Sequence, residues 1–266
     1  MSWPKISVVT PSYNQGRFIE ATLLSVLNQN YPNLEYIVVD GGSADESIEI
    51  IKKYEHRLAY WVSEPDGGQT KGLIKGFRRA TGEIQCWLNS DDLLQPGTLS
   101  EVAAYFLDHP RVDAVYGNAL WIDVAGQLLR EQREIPFSRF VWLYTYNYIP
   151  CMSMFWRKPI YDKVGGLDQE FDLAMDADLW IRFAEVGRIA HVRSVWSCMR
   201  FYPEQKNRRL REKSDAEDMR IRQRYGVDSG QPLYRAKRFI AQAVRLAWRL
   251  LTGCYPLGYR RYMERS

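Results

Sequence analysis

Ile6-Ser7-Val8-Val9-Thr10-Pro11-Ser12-Tyr13-Asn14-Gln15-Gly16-Arg17 carries the first decision about the fold. The β-branched run 6–10 is too short for a helix, and a proline and a polar turn end it. From 17 to 29 apolar residues recur with a helical period, and Leu34-Glu35-Tyr36-Ile37-Val38-Val39-Asp40 reads as a second strand. The pattern then repeats. Ser43 and Glu46 have the spacing of a capping box for a helix ending at Tyr54; 59–63 reads as a strand, 70–79 as a helix and 84–88 as a fourth strand. Such alternation predicts an α/β fold whose mostly parallel sheet is flanked by helices on both faces. Ligands of these sheets bind beyond the carboxyl ends of the strands. That rule singles out Pro11, Ser12 and Tyr13, then Asp40, then Glu64 and Asp66, then Asn89, Ser90, Asp91 and Asp92.

The second half is less regular. A helix is expected over 98–107, strand-like pieces over 114–117 and 151–156, and a helix over 176–185; beyond Arg200 the chain turns helical and basic. With 266 residues, 46% of them apolar, the chain can bury one sizeable core, so one large domain with a tail is expected. Residues 1–199 carry 19 Lys/Arg against 25 Asp/Glu, whereas 200–266 carry 17 against 7. Only the tail can attract an acidic partner, and with no recognition motif in the acidic remainder nucleic acid is not expected. Met1-Ser2-Trp3-Pro4 leads directly into the first strand without a charged and apolar leader, and no apolar run reaches the ~18 residues that span a bilayer, so a cytoplasmic location is expected. Cys86, Cys151, Cys198 and Cys254 form no C-x-x-C pair and read as buried thiols.

The carboxylates carry the chemistry. Strand four ends in Asn89-Ser90-Asp91-Asp92, where adjacent acids repel each other unless a hard divalent cation joins them; a solvated turn is the plainer reading. Asp40 precedes Gly41-Gly42, which lets the backbone turn and leave a carboxylate facing the crevice to accept an N–H from a base edge; otherwise it is a turn or capping aspartate. Tyr13 offers a ring to pack on a base or ribose. Asp176 and Asp178 cannot share a helical face, so one is expected to face the site as a general base and the other to brace the helix; two acids favoured by the helix dipole are the alternative.

In order, Val8-Val9-Thr10-Pro11-Ser12-Tyr13-Asn14, Val38-Val39-Asp40-Gly41-Gly42-Ser43, Asn89-Ser90-Asp91-Asp92 and Met175-Asp176-Ala177-Asp178-Leu179-Trp180 resemble glycosyltransferase family 2 across about residues 4–205. The resemblance implies inverting enzymes of the Rossmann-like GT-A fold. It gives a catalytic domain over 1–205, with a nucleotide-sugar-binding half over about 1–95 and an acceptor half over about 96–205, and a basic helical extension over 206–266. It also implies that Pro11, Tyr13 and Asp40 line the nucleoside pocket with Asp66 on the donor side. Asp91 would lie near the ribose, Asp92 would bind Mn²⁺ or Mg²⁺, and Asp176 would be the catalytic base. The implied donor is a nucleotide sugar, UDP first with dTDP and GDP open, and the acceptor a glycan or lipid-linked glycan of the cell envelope.

The chain departs from the family pattern at three places. Met175 replaces a glutamate, Lys71-Gly72-Leu73-Ile74-Lys75-Gly76 replaces an Asp-Ala-x-Asn-Lys-Gly stretch, and Tyr202 stands where relatives carry a histidine near the metal. His191 lies outside that pattern and reads as a structural histidine. A sugar nucleotidyltransferase would show a Gly-rich loop after strand one, which is absent; a catalytically silent nucleotide-sugar binder or assembly subunit is the rival from another class. Over 232–251 a polar stripe of Arg235, Arg238, Gln242, Arg245 and Arg249 borders a wide apolar face, which fits a helix on a membrane surface or one docked on protein.

Overall fold

The computed structural model describes residues 3–254. Strand β1 (Ile6–Ser12) is buried along its whole length, as a strand covered on both faces must be. It pairs in parallel with β2 (Leu34–Asp40) on one side and β4 (Ile84–Trp87) on the other, and β3 (Tyr60–Ser63) extends the parallel set beyond β2. Helices α1 (Gly16–Leu27), α2 (Ser47–Tyr54) and α3 (Gln69–Arg79) make the crossovers. A Cβ at Gly76 would lie 2.4 Å from Val9 Cγ1, so glycine is what lets α3 approach β1.

Past β4 come β5 (Leu93–Leu94), α4 (Thr98–Asp108), β6 (Ala114–Ile122), β7 (Leu128–Gln132) and α5 (Arg139–Tyr144). A 3-10 turn at Cys151–Ser153 precedes β8 (Met154–Arg157), α6 (Lys158–Lys163), α7 (Met175–Val186) and β9 (Ile189–Arg200). These strands continue the first sheet, giving the order β3-β2-β1-β4-β8-β6-β9-β5 with β7 paired to β6. The pairing turns mixed at β8, which runs antiparallel to both β4 and β6. β9 pairs in parallel with β6 and carries Cys198 back to Leu93, so its last residues meet the chain just after Asp91 and Asp92. Trp87, Trp156 and Trp180 fill the core between sheet and α7, with Trp87 stacked on Trp180 at 5.2 Å and 14°.

Two sequence expectations change. The Ser43/Glu46 capping box does not form: α2 starts at Ser47, and the Ser43 hydroxyl instead donates to Asp40 Oδ1 at 2.6 Å while Asp45 Oδ1 takes the Ser47 N–H. The expected strand over 114–117 runs to Ile122, and β7, α5 and β9 were not anticipated. His191, Arg193 and Ser194 break the apolar pattern of β9; pairing with β6, rather than propensity, makes it a strand.

Residues beyond 205, expected as an appended extension, pack on the body through α8 (Lys206–Arg209), α9 (Arg211–Arg224) and α10 (Tyr234–Leu251). On α9 the buried Arg222 donates to the carbonyls of Trp142, at 2.9 Å, and Leu143. Helix α10 lies on α5 and buries Ala241 and Arg245, the latter donating to Glu134 Oε2 at 2.8 Å and to the Tyr146 hydroxyl. Part of the predicted polar stripe thus faces inward, and much of the apolar face points outward.

Glu217 on α9 is 4% exposed, and its Oε2 accepts the N–H groups of Asp172 at 3.0 Å, Leu173 at 2.8 Å and Ala174 at 3.0 Å. These bonds tie α9 to the loop that launches α7. Glu217→Ala leaves those donors without a partner, and we expect about 3 kcal/mol of lost stability, read as a lowered urea midpoint. An unchanged midpoint would show that water replaces the carboxylate at no cost.

Candidate active site

The carboxyl ends of β1, β2 and β4, the first turn of α7 and the segment after β9 surround one cleft of about 890 Å³. Its rim is set by two stitched loops. Asn14, at φ 50°, donates its N–H to Ser43 Oγ at 2.8 Å and accepts from the Ala44 N–H at 2.8 Å, so the turns after β1 and β2 move together. Pro11, Ser12 and Tyr13 line the cleft, and the Tyr13 ring is 62% exposed, free to meet a planar ligand.

Asp40 stands differently from the expectation. Its side chain is fully buried, and it accepts from the N–H groups of Gly42 at 3.1 Å and Ser43 at 2.8 Å and from the hydroxyls of Ser43 at 2.6 Å and Ser63 at 2.7 Å. Gly42, at φ +82°, makes that turn possible. Gly41 and Asp66, rather than Asp40, face the cleft at this end. The Asp66 carboxylate accepts the Gly68 N–H at 2.8 Å and still lines the opening.

The acids after β4 lie deeper. Asp92 is 2% exposed; Oδ1 accepts the Arg200 N–H at 3.0 Å and Oδ2 accepts from Asn89 Nδ2 at 3.0 Å. Burial, and next the neighbouring Asp91, hold its carboxyl well above the ordinary range. Asp91 is also raised by burial, although the Tyr202 hydroxyl donates to its Oδ2 at 2.9 Å. Tyr202 therefore occupies the side of the acid pair, and burial followed by the Asp91 charge drives its phenol upward. Gln69 braces Asn89, donating its Nε2 to Asn89 Oδ1 at 3.0 Å.

On the far wall Asp176 opens α7 and accepts from Asn147 Nδ2 at 2.8 Å. Burial raises its carboxyl to about 6. Asp178 points away, 1% exposed, and accepts from Arg182 Nε at 2.8 Å with Arg224 at 3.6 Å, so the two acids do divide between cleft and brace. Met175 is buried beside Asp176. His191 stands apart, packed on Tyr116, with burial lowering it to about 4.

The structure thus brings Pro11, Tyr13, Asp66, Asp91, Asp92 and Asp176 to one cleft and leaves Asp40 beneath its floor. Arg17, Lys206 and Arg209, which line the cleft, and Asn147, which donates to Asp176, were not among the expected residues. Asn89 sat inside a quoted motif, whereas Asn147 lies in a loop with no local signal. Among the described residues no three His, Cys, Asp or Glu side chains form a metal cage. Asp91 and Asp92, adjacent carboxylates that both line the cleft, nonetheless have the donor chemistry of a divalent-ion site, in which one or two carboxylates are completed by phosphate oxygens and water.

Comparison with known proteins identifies the fold and the family. TarS 1–349 of S. aureus in complex with UDP-GlcNAc matches 92% of the chain, with 72% of that protein covered, at TM-score 0.67 and 21% identity. The mannosyltransferase PcManGT of Pyrobaculum calidifontis in complex with GDP-Man and Mn²⁺ matches 91%, with 70% of that protein covered, at TM-score 0.64 and 20% identity. The fold is that of GT-A glycosyltransferases. The profile described as Glycosyl transferase family 2 matches residues 7–164. An uncharacterized glycosyltransferase of Mycobacterium tuberculosis is 31% identical over 196 residues, 73% of this chain and 74% of the relative. The O-antigen biosynthesis protein RfbC of Myxococcus xanthus is 29% identical over 71% of this chain and 15% of its own length. The chain belongs to glycosyltransferase family 2.

A neutral phenol is a poor ligand for a divalent ion, and an imidazole is a good one. Tyr202→His is expected to tighten Mn²⁺ binding on the order of tenfold, about 1.4 kcal/mol, in a calorimetric titration. Equal Mn²⁺ affinity in Tyr202→His and the wild type would place the ion away from this side chain.

Proposed function

We propose that the protein transfers a sugar from a nucleotide-sugar donor to an acceptor hydroxyl with inversion at the anomeric carbon. The observation that carries this reading is the gathering of Tyr13, Asp66, Asp91, Asp92 and Asp176 around one cleft at the carboxyl edge of the sheet. Tyr13 and Pro11 contact the nucleoside, and Asp66 closes the donor end. Asp91 faces the ribose side. Asp92 would hold a Mn²⁺ or Mg²⁺ ion, which neutralises the donor diphosphate and eases its departure. Asp40 supports the donor end from below by fixing the turn that presents Gly41.

Asp176 is the base in this reading. It takes the proton of the acceptor hydroxyl as that oxygen forms its bond to the anomeric carbon and the bond to the diphosphate oxygen breaks on the opposite side. One displacement inverts the centre and needs no covalent enzyme intermediate. A carboxyl raised to about 6 is a stronger base than an exposed aspartate and is still ionised at neutral pH. Asn147 orients it. UDP is the first choice of nucleotide, dTDP and GDP being further choices that a tyrosine-lined pocket also accepts. The acceptor is a glycan or lipid-linked glycan of the cell envelope, which the match to an O-antigen biosynthesis protein supports, and the site of action is the cytoplasmic face of the membrane.

Titration with UDP, dTDP and GDP, each with and without Mn²⁺, is expected to give metal-dependent binding of one nucleotide that Asp92→Ala abolishes. Absence of binding by all three would favour the silent assembly subunit, for which Met175 and Tyr202 are the sequence arguments.

Asp176→Asn is expected to keep nucleotide affinity and lose transfer by about 10³-fold. In the wild type kcat/KM should fall as pH drops through about 6, because the carboxyl must be deprotonated to act and burial raises it to that value. Transfer by Asp176→Asn at the wild-type rate would remove Asp176 from the mechanism.

A further inference from the structure

The outward side of α10 is apolar, and we propose that it docks on an anionic lipid bilayer. The proposal deepens the reading of the acceptor side by naming the surface that brings it to a lipid-borne acceptor. At about 100° per residue, Phe239, Ile240, Leu246, Leu250 and Leu251 fall on one arc about 140° wide, and the positions between them are alanines. Phe239 is 72% exposed, Leu250 60% and Leu251 85%. In a water-soluble domain such an arc turns inward. Here the inward side is already occupied, because Ala241 packs toward α5 and Arg245 is buried on Glu134 and Tyr146. The Glu134–Arg245 ion pair lies on that inward side, opposite the apolar arc.

Charge selects the occupant. Arg235 borders the arc on one edge and Lys237 on the other, Arg238 lies beyond Arg235, and α10 contains no acid to answer them. A second copy seated on this face would bring like-charged rims together. An anionic bilayer takes the apolar arc between its acyl chains and the rim cations at its headgroups, and a helix about 27 Å long lying in the interface plane suits both. The placement also suits the chemistry. Helix α10 rests on α5, and Asn147, shortly after α5, donates to Asp176, so the bilayer-facing side belongs to the half of the molecule that carries the base.

Co-sedimentation of the full chain with vesicles of phosphatidylcholine alone, and of phosphatidylcholine mixed with phosphatidylglycerol, tests this. Binding to the mixed vesicles is expected, weaker at high salt and weaker by about fivefold for each of Arg235→Gln and Arg238→Gln. Phe239→Glu combined with Leu250→Glu should lower partition at least about tenfold. Both side chains are exposed, so the fold is retained and nucleotide binding, measured on the same samples, stays at the wild-type value. No sedimentation of the wild type, or equal sedimentation of the wild type and the double variant, overturns the proposal. So does a dimer in light scattering that the double variant converts to a monomer without any lipid binding. Nucleotide titration separates this outcome from failure of the donor reading, since lipid binding needs neither nucleotide nor metal.

Discussion

A carboxylate taken out of water must find donors, a cation or a proton, and the working parts of this chain follow from how its buried acids meet that demand. Asp40 is answered by backbone N–H groups and hydroxyls, Asp178 by Arg182, Glu134 by Arg245, and Glu217 by consecutive N–H groups ahead of α7. Burial raises Asp178 and Glu134, but each carboxylate is paired with an arginine, and none of these four acids lines the cleft. Asp91, Asp92 and Asp176 are likewise raised by burial, and these three line the cleft. Position separates the two groups, since a ligand entering the cleft can reach only the second.

The same distinction explains what could be read from the residues beforehand. The parallel half of the sheet was legible, because short β-branched runs, helical periods and turn residues are local properties. The acids at the strand ends were legible as a set for the same reason. Their individual postures were not. Asp40 and Asp92 both follow buried strands and precede turns, but Asp40 meets a Gly-Gly-Ser turn that wraps its carboxylate, whereas Asp92 meets the end of β9, more than a hundred residues away in sequence. Ser43 looked like a helix cap, and a stronger acceptor three residues upstream captured its hydroxyl.

Long-range partnering also accounts for the two largest differences. The β9 strand breaks the apolar alternation and exists because β6 supplies its hydrogen bonds. Helix α10 announces an amphipathic face correctly, but periodicity reports that two faces differ without reporting which is turned to the protein. In the structure the inward side is the one that carries Arg245, paired with Glu134, and the buried Ala241.

The family profile ends at residue 164, whereas Asp176, Arg200, Tyr202 and Glu217 lie beyond it. The end of the cleft at Tyr13, Gly41 and Asp66 is built from strand termini and the turns that follow them, so its parts are held by neighbours in sequence. The wall carrying Asp176 is held from a distance: Glu217 fixes the three residues before α7, and the first of these, Asp172, in turn pairs with Lys206 at 2.9 Å, which lines the cleft. A displacement of α9 would therefore reach both Asp176 and a cleft cation through one carboxylate. The basic segment after residue 205 is in this sense part of the architecture of the cleft.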